Sequence, residues 1–392
     1  IDGETLQSDR TYNPSGMYLD QSGNIQFYDN EVDNYKQDHY QLHWSQIINS
    51  KLTSNLSFNL TNGLGYYEQY KENGDQDYIT RKWLDNQFIV GNYSLNYQSN
   101  KLNMNFGSSY SEYDGDHFGK VIWAQNTAGI QVDDRFYDGN GIKKDFSNYV
   151  KTTYQLNSKL SLYGDIQLRN VNYKTSGSTS DIANFLINKK YNFFNPKGGF
   201  NYLFNNYNNV YFSFARSNRE PTRSDYESNP NIRSEQLNDF EFGWSLTKKK
   251  FNITTNFYMM QYKDQLVLTG SIDDVGTPVR ENSGESYRMG IEVETVFNLS
   301  DKISILANSA FSDNKNKNFV TSLNGELVNL GKTNISFSPE IVSSINLLYS
   351  PKENMEFSIL NKYVGEQYMS NTDSVFSKLD AYSVIDFNFN YN

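Results

Sequence analysis

Cysteine is absent from this chain of 392 residues, and histidine occurs only three times. The first absence removes disulfides, thiolate nucleophiles and cysteine-bound metals. It is compatible with an oxidising compartment but does not establish one. No Gly-x-Ser-x-Gly elbow, phosphate-cradling glycine loop or His-Glu-x-x-His stretch occurs either, so no catalytic set emerges and the chain reads as a non-enzyme without a cofactor. Cations are in deficit, with 35 Lys and Arg against 45 Asp and Glu for a formal charge of -10. No basic stripe is available to neutralise phosphates, which argues against nucleic acid as a partner. The cationic run Lys248-Lys249-Lys250 follows Thr247 and reads as a solvated hairpin turn. Long apolar runs are missing as well: no stretch approaches the roughly 20 residues that a spanning helix needs. The chain starts at Ile1 with no charged n-region or apolar h-region, so no secretory signal is visible.

What the chain has in quantity is aromatic residues, 31 Tyr and 26 Phe within a 16% aromatic share that a disordered chain would not carry. Many of them recur with a period of two. From Asn209, Val210, Phe212 and Phe214 oppose Tyr211, Ser213 and Ala215 before the chain turns to charge and proline, as a half-buried strand does on leaving an apolar slab for water. Leu160, Ile166 and Leu168 oppose Tyr163, Asp165 and Arg169 in the same way, and Phe257 and Met259 oppose Asn256 and Tyr258. A short polar turn precedes many such strands. Asn49-Ser50-Lys51-Leu52, Ser99-Asn100-Lys101-Leu102 and Asn157-Ser158-Lys159-Leu160 share its chemistry, and successive short turns lie about fifty residues apart.

Short and long connections therefore alternate strictly, as in a transmembrane barrel with short periplasmic turns and long extracellular loops. The long loops are expected near 70–85, 114–143, 174–191, 218–232, 271–282, 314–332 and 367–377. An opening loop, Ile1 to Asp33, is expected to turn at Asn13-Pro14-Ser15-Gly16 and at Gln21-Ser22-Gly23-Asn24. Charges such as Asp165, Arg169, Glu292, Glu294, Glu356 and Lys362 fall on the polar face. A small packed core could not hold them, whereas a wide wet or plugged lumen can.

The segment Ser213-Phe214-Ala215-Arg216-Ser217-Asn218-Arg219-Glu220-Pro221-Thr222 resembles the barrel of a TonB-dependent outer-membrane receptor. Ser234-Glu235-Gln236-Leu237, continuing to Glu241-Phe242-Gly243, strengthens the likeness. In that family an aromatic-Ser-aromatic strand end runs into an Arg-x-Pro-Thr loop. The motif covers about thirty residues, and the likeness in character extends over nearly the whole chain. The fold class implied is all-β: a transmembrane antiparallel up-and-down β-barrel over residues 1–392, with about fifteen strands of a barrel of roughly 22. The family's plug domain is absent from the chain, which on this reading is an internal fragment. The resemblance implies a bacterial outer-membrane location and energy-coupled uptake of a scarce solute, with an iron-siderophore or haem foremost. Cobalamin, another non-iron solute or a passive porin are the alternatives. Implied partners are outer-membrane lipid, the extracellular iron chelate, the protein's own N-terminal plug and the inner-membrane energy-coupling complex.

The candidate ligand contacts lie in long connections. Asp116 and His117 sit in Tyr113-Asp114-Gly115-Asp116-His117-Phe118-Gly119, with Trp123 just beyond. Arg216, Arg219 and Glu220, with Arg223, gather charge where a strand leaves the slab; they are placed either to meet an anionic chelate or the plug, or to fix the loop by ion pairing. Tyr66, Tyr67, Tyr70, Trp83, Trp123, Phe136 and Tyr137 form either an interfacial girdle or a binding surface, with the girdle favoured near strand ends. His39 and His43 have the spacing of a helical zinc pair, but four residues of strand span roughly 13 Å, too far for one ion. Asp114, Asp116, Asp133 and Asp134 are acidic without the spacing of a calcium cage, so no metal site is expected.

Overall fold

The computed structural model describes residues 3–10, 17–20, 22–27, 33–71, 76–127, 129, 131–272, 278–323 and 326–391. Among the described residues fifteen long strands follow one another. They are β1 (Asp33–Asn49), β2 (Leu52–Lys71), β3 (Tyr78–Gln98), β4 (Leu102–Ala124), β5 (Arg135–Gln155), β6 (Leu160–Gly177), β7 (Ile187–Asn205) and β8 (Asn208–Arg219). After these come β9 (Glu235–Thr247), β10 (Phe251–Lys263), β11 (Glu285–Ser300), β12 (Ile303–Leu323), β13 (Ile341–Lys352), β14 (Met355–Val364) and β15 (Tyr382–Tyr391). Each pairs antiparallel with the next, so the sheet is an uninterrupted up-and-down meander. β1 and β15 are its two edges, and Glu326–Asn334 doubles back on the far part of β12. The expected count of about fifteen strands and their sequential order are both found.

The connections alternate as the turn chemistry predicts. At three of the short ends an Asn side chain closes the turn on itself: Asn49 Oδ1 accepts from Lys51 N at 2.9 Å, Asn157 Oδ1 from Lys159 N at 2.9 Å, and Asn205 Oδ1 from Tyr207 N at 2.9 Å; Ser99 and Ser300 do the same with their hydroxyls. The long connections are shorter than expected because the strands run on into them. β4 continues to Ala124 and β5 starts at Arg135, so most of 114–143 is strand, and β6 and β7 take up half of 174–191 in the same way. Within 218–232 lies a short helix, Arg223–Ser228. The opening segment holds a small hairpin, Met17–Leu19 with Ile25–Phe27, turned by Asp20, whose Oδ1 accepts from Ser22 N and Asn24 N. The expected turn at Asn13–Gly16 lies outside the described residues, as do Gln21, 72–75, 273–277 and 324–325 within the other expected loops.

Strand alternation separates two faces. Leu162, Phe200, Phe212, Phe242, Phe257 and Phe311 lie on one outward belt, linked rung by rung across β6 to β12, with Ile291 completing it. All six are exposed, which makes sense for a surface whose solvent is hydrocarbon. The opposite face carries Asp165, Arg169, Glu292 and Glu294, as expected. It is fitted by aromatic rings lying over glycines. Tyr211 covers Gly243 while its hydroxyl donates to Asn256 Oδ1 at 2.9 Å. A Cβ at Gly243 would fall inside 3.0 Å of that ring. Gly243→Ala is therefore expected to displace Tyr211 and to cost about 1–3 kcal/mol, read as a lower urea midpoint of the folded barrel in detergent.

Candidate functional site

About ten residues from the short turns suffice to cross the hydrocarbon core, and β2 to β5 run twice that far. Their far ends build the wall of a cavity of about 760 Å3. Two adjacent inward rungs supply this wall. One reads Asp33, Tyr67, Lys82, Gly119 and Tyr137, and the other Tyr35, Gly65, Leu84, His117 and Gly139. Glycine opens the space: Tyr35 lies over Gly63 and Gly65, and Tyr137 over Gly119, where any Cβ would clash with the rings. The opposing wall is the helix Arg223–Ser228, with Thr179–Ile182 and Val279. For residues so far apart in the meander to line one space, the sheet must curve strongly.

The helix is held by residues just before it. Glu220 is buried, and Arg169 of β6 donates to both its oxygens at 2.8 Å through Nη1 and Nη2. Lys143 of β5 approaches Glu220 Oε1 at 2.6 Å, and Arg169 Nε also donates to Asp145 at 2.9 Å. Burial pushes the Glu220 carboxyl up, but the hydrogen bonds from Arg169 and Lys143 outweigh it and hold the group below its ordinary value. Thr222 then caps the helix reciprocally: its Oγ1 accepts from Asp225 N at 3.4 Å, and Asp225 Oδ2 accepts from Thr222 N at 2.8 Å. Tyr226 is buried with Phe185, Ile187, Ile232 and Leu266 and stacks on Tyr173 at 5.5 Å. This anchoring leaves Arg223 facing the cavity, where Nε donates to Glu227 Oε1 at 2.8 Å and Nη1 to Thr175 Oγ1 at 3.3 Å. His117, fifteen residues beyond Leu102 and past the crossing part of β4, is pushed down to about 4 by burial and by nearby Arg223. It is neutral at physiological pH.

The sequence matches the family model described as TonB dependent receptor-like, beta-barrel, over residues 2–392. The chain belongs to the TonB-dependent receptor β-barrel family. Similar solved structures include the ferric-catecholate import receptor Fiu from E. coli K12 in its closed form, with 14% identity over 94% of this chain and a TM-score of 0.65. The siderophore receptor PiuA from Acinetobacter baumannii gives 15% over 92% and 0.67, and the copper transporter OprC 14% over 91% and 0.69. The receptor chain described here spans 59%, 59% and 57% of those three chains. No curated protein matches it. The receptor is an outer-membrane β-barrel of a transporter and receptor family, which accounts for the outward apolar belt.

Within this receptor barrel the sequence-derived candidates separate. His117 lines the cavity, whereas its neighbour Asp116 faces away and accepts from Asn140 Nδ2 at 2.8 Å. Trp123 is exposed at the end of β4, opposite Ile79. Arg216 donates through Nε to Asn238 Oδ1 at 2.8 Å on the outward face. Arg219 pairs with Glu235 at 3.2 Å, and Glu220 is the buried lock. Of the aromatic set, Tyr67 and Tyr137 take inward rungs. Tyr66 and Trp83 sit on the rung between, where they also border the cavity; their rings are tilted to each other 4.5 Å apart, with Phe118 stacked 5.9 Å beyond Trp83 and Arg81 over Tyr66 at 4.2 Å. Lys82, Tyr35 and Glu227 were not singled out from sequence. His39 faces inward, with Nδ1 2.9 Å from Thr61 Oγ1.

Proposed function

We propose that this barrel is the wall of an energy-coupled importer whose long connections face the outside and whose cargo is a scarce metal chelate, foremost an iron-siderophore or haem. The observation that supports it most is the tyrosine-walled cavity at the long-connection end, of a volume suited to a small solute. Its place beyond the membrane-crossing part of the strands suits capture from the medium. In this reading the short turns are periplasmic, and a plug and the inner-membrane energy-coupling complex, acting together with the barrel, move the captured solute inward. Fiu is a ferric-catecholate import receptor and PiuA a siderophore receptor by their descriptions, which favours iron. The copper transporter OprC favours a second reading, a non-iron metal. Family membership weighs against a passive porin.

Growth of the host under iron limitation, with and without the receptor gene and with single chelates or haem supplied, tests this. Loss of growth on one source is expected, while unchanged growth on all would move the cargo to copper, cobalamin or another solute. Tyr137→Ala strips one inward ring from the wall and is expected to weaken capture of that source about tenfold, measured as the concentration needed for half-maximal growth at equal receptor level.

A further inference from the structure

We infer, resting on the uptake reading above, that the cavity selects an apolar chelate of little net charge and rejects polyanionic ones. Three carboxylates, Asp33, Asp181 and Glu227, line it against two cations, Lys82 and Arg223. One of those cations is already committed: Arg223 Nε donates to Glu227 at 2.8 Å and Nη1 to Thr175 at 3.3 Å. The other lies 5.8 Å from the Tyr67 ring centroid, so part of its field is spent on an aromatic face. Burial, with Arg223 nearby, keeps His117 uncharged at neutral pH, so it adds no third cation. The rest of the wall is mostly ring and aliphatic carbon, from Tyr35, Trp83, Tyr137, Leu84 and Ile182 among others, with Ser and Thr hydroxyls confined to the side of the helix and of Thr179–Ile182.

A trianion entering this space would surrender its hydration and meet three carboxylates against two cations, both of them already engaged. The acidic balance of the whole chain, -10, opposes its approach as well. A neutral chelate loses little on leaving water and gains the apolar wall. Fixed charge thus sets the cargo class.

The test is binding of three probes, a neutral ferric trihydroxamate, trianionic ferric tricatecholate and ferric citrate, to outer-membrane vesicles carrying the full-length receptor, at low and physiological salt. The neutral chelate is expected to bind at least tenfold more tightly than either anion, with little salt dependence. Glu227→Gln removes one carboxylate and unties Arg223, and is expected to strengthen tricatecholate binding several-fold while leaving the neutral probe within twofold. Equal or tighter binding of the trianion by the unmodified receptor, weakening as salt rises, would overturn the charge inference and leave iron uptake standing. Binding of none of the three would overturn the iron-chelate reading itself, and the inference with it.

Discussion

Replacing Ile166 with Arg is expected to abolish assembly of the barrel in the outer membrane. Ile166 lies six residues above the short turn at Leu160, near the middle of the crossing part of β6, and is 54% exposed on the outward face. Its rung neighbours are Val150 and Pro196, so no polar side chain directly across the ladder could pair with a cation there. A cation facing lipid near the midplane costs roughly 2–4 kcal/mol. That is a large share of the stability of an ordinary fold. Gln167→Arg is the control one position along. Gln167 faces inward, where its Oε1 accepts from Asn195 Nδ2 at 2.9 Å, and a cation there stays hydrated. The measurement is the amount of folded, heat-modifiable receptor in outer-membrane fractions. Near-complete loss for Ile166→Arg and near-normal levels for Gln167→Arg are expected; equal levels of both would refute the assignment of the two faces.

That assignment was legible because it needs only a period of two and a lipid-facing partner for every second residue. Phe251 to Met259 and Leu160 to Leu168 declare their outward face without any knowledge of what they pair with. The signal fades where the strands leave the hydrocarbon. Asp114, Gly115 and Asp116 read as loop because neither face is apolar. Yet they continue the ladder against Ile142, Gly141 and Asn140, since backbone hydrogen bonds do not depend on side-chain polarity. The true long connections are therefore shorter than their sequence suggests, by close to the length of strand that projects beyond the membrane. Had 114–143 been read as strand, alternation alone would have sent Asp116 and His117 to opposite faces.

The cavity itself was harder to see, for a different reason. Tyr67, Lys82, Gly119 and Tyr137 form one rung only when three registers are known, and the turns that set two of them lie in long connections of irregular sequence. At the short ends an Asn or Ser side chain closes the turn locally, so the sequence marks where one strand ends and the next begins. The Arg-x-Pro-Thr stretch shows a third limit. Its residues are legible as a cluster of charge at the strand exit, but that Glu220 meets a neighbour is decided by Arg169 and Lys143, more than fifty residues upstream of it, and that Arg216 and Arg219 do is decided by Asn238 and Glu235 on the next strand.

Glu220→Ala is expected to release the helix Arg223–Ser228 while the barrel still assembles. The carboxylate is buried and joins three elements, taking two hydrogen bonds from Arg169 and one ion pair from Lys143. Removing one partner of a buried ion pair costs about 3–5 kcal/mol, because the charges left behind are uncompensated. Here the lower end applies, since Arg169 keeps Asp145 and Lys143 is exposed enough to turn to water. About 3 kcal/mol changes a local equilibrium about a hundredfold, enough to free a six-residue helix whose own capping box is worth about 1 kcal/mol. The strand ladder does not pass through Glu220, so assembly should persist. Limited proteolysis is expected to nick the variant between Arg219 and Ile232, with binding of the captured chelate weakened at least tenfold as the helix, the opposing wall of the cavity, is lost. Acid should mimic it in the unmodified receptor. The native-state value of Glu220 is held below its ordinary 4.5, so the lock's contribution is complete above that pH and is lost as pH falls through the depressed value. Unchanged cleavage and unchanged binding in Glu220→Ala would show that the helix is positioned by Tyr226 and its apolar neighbours alone.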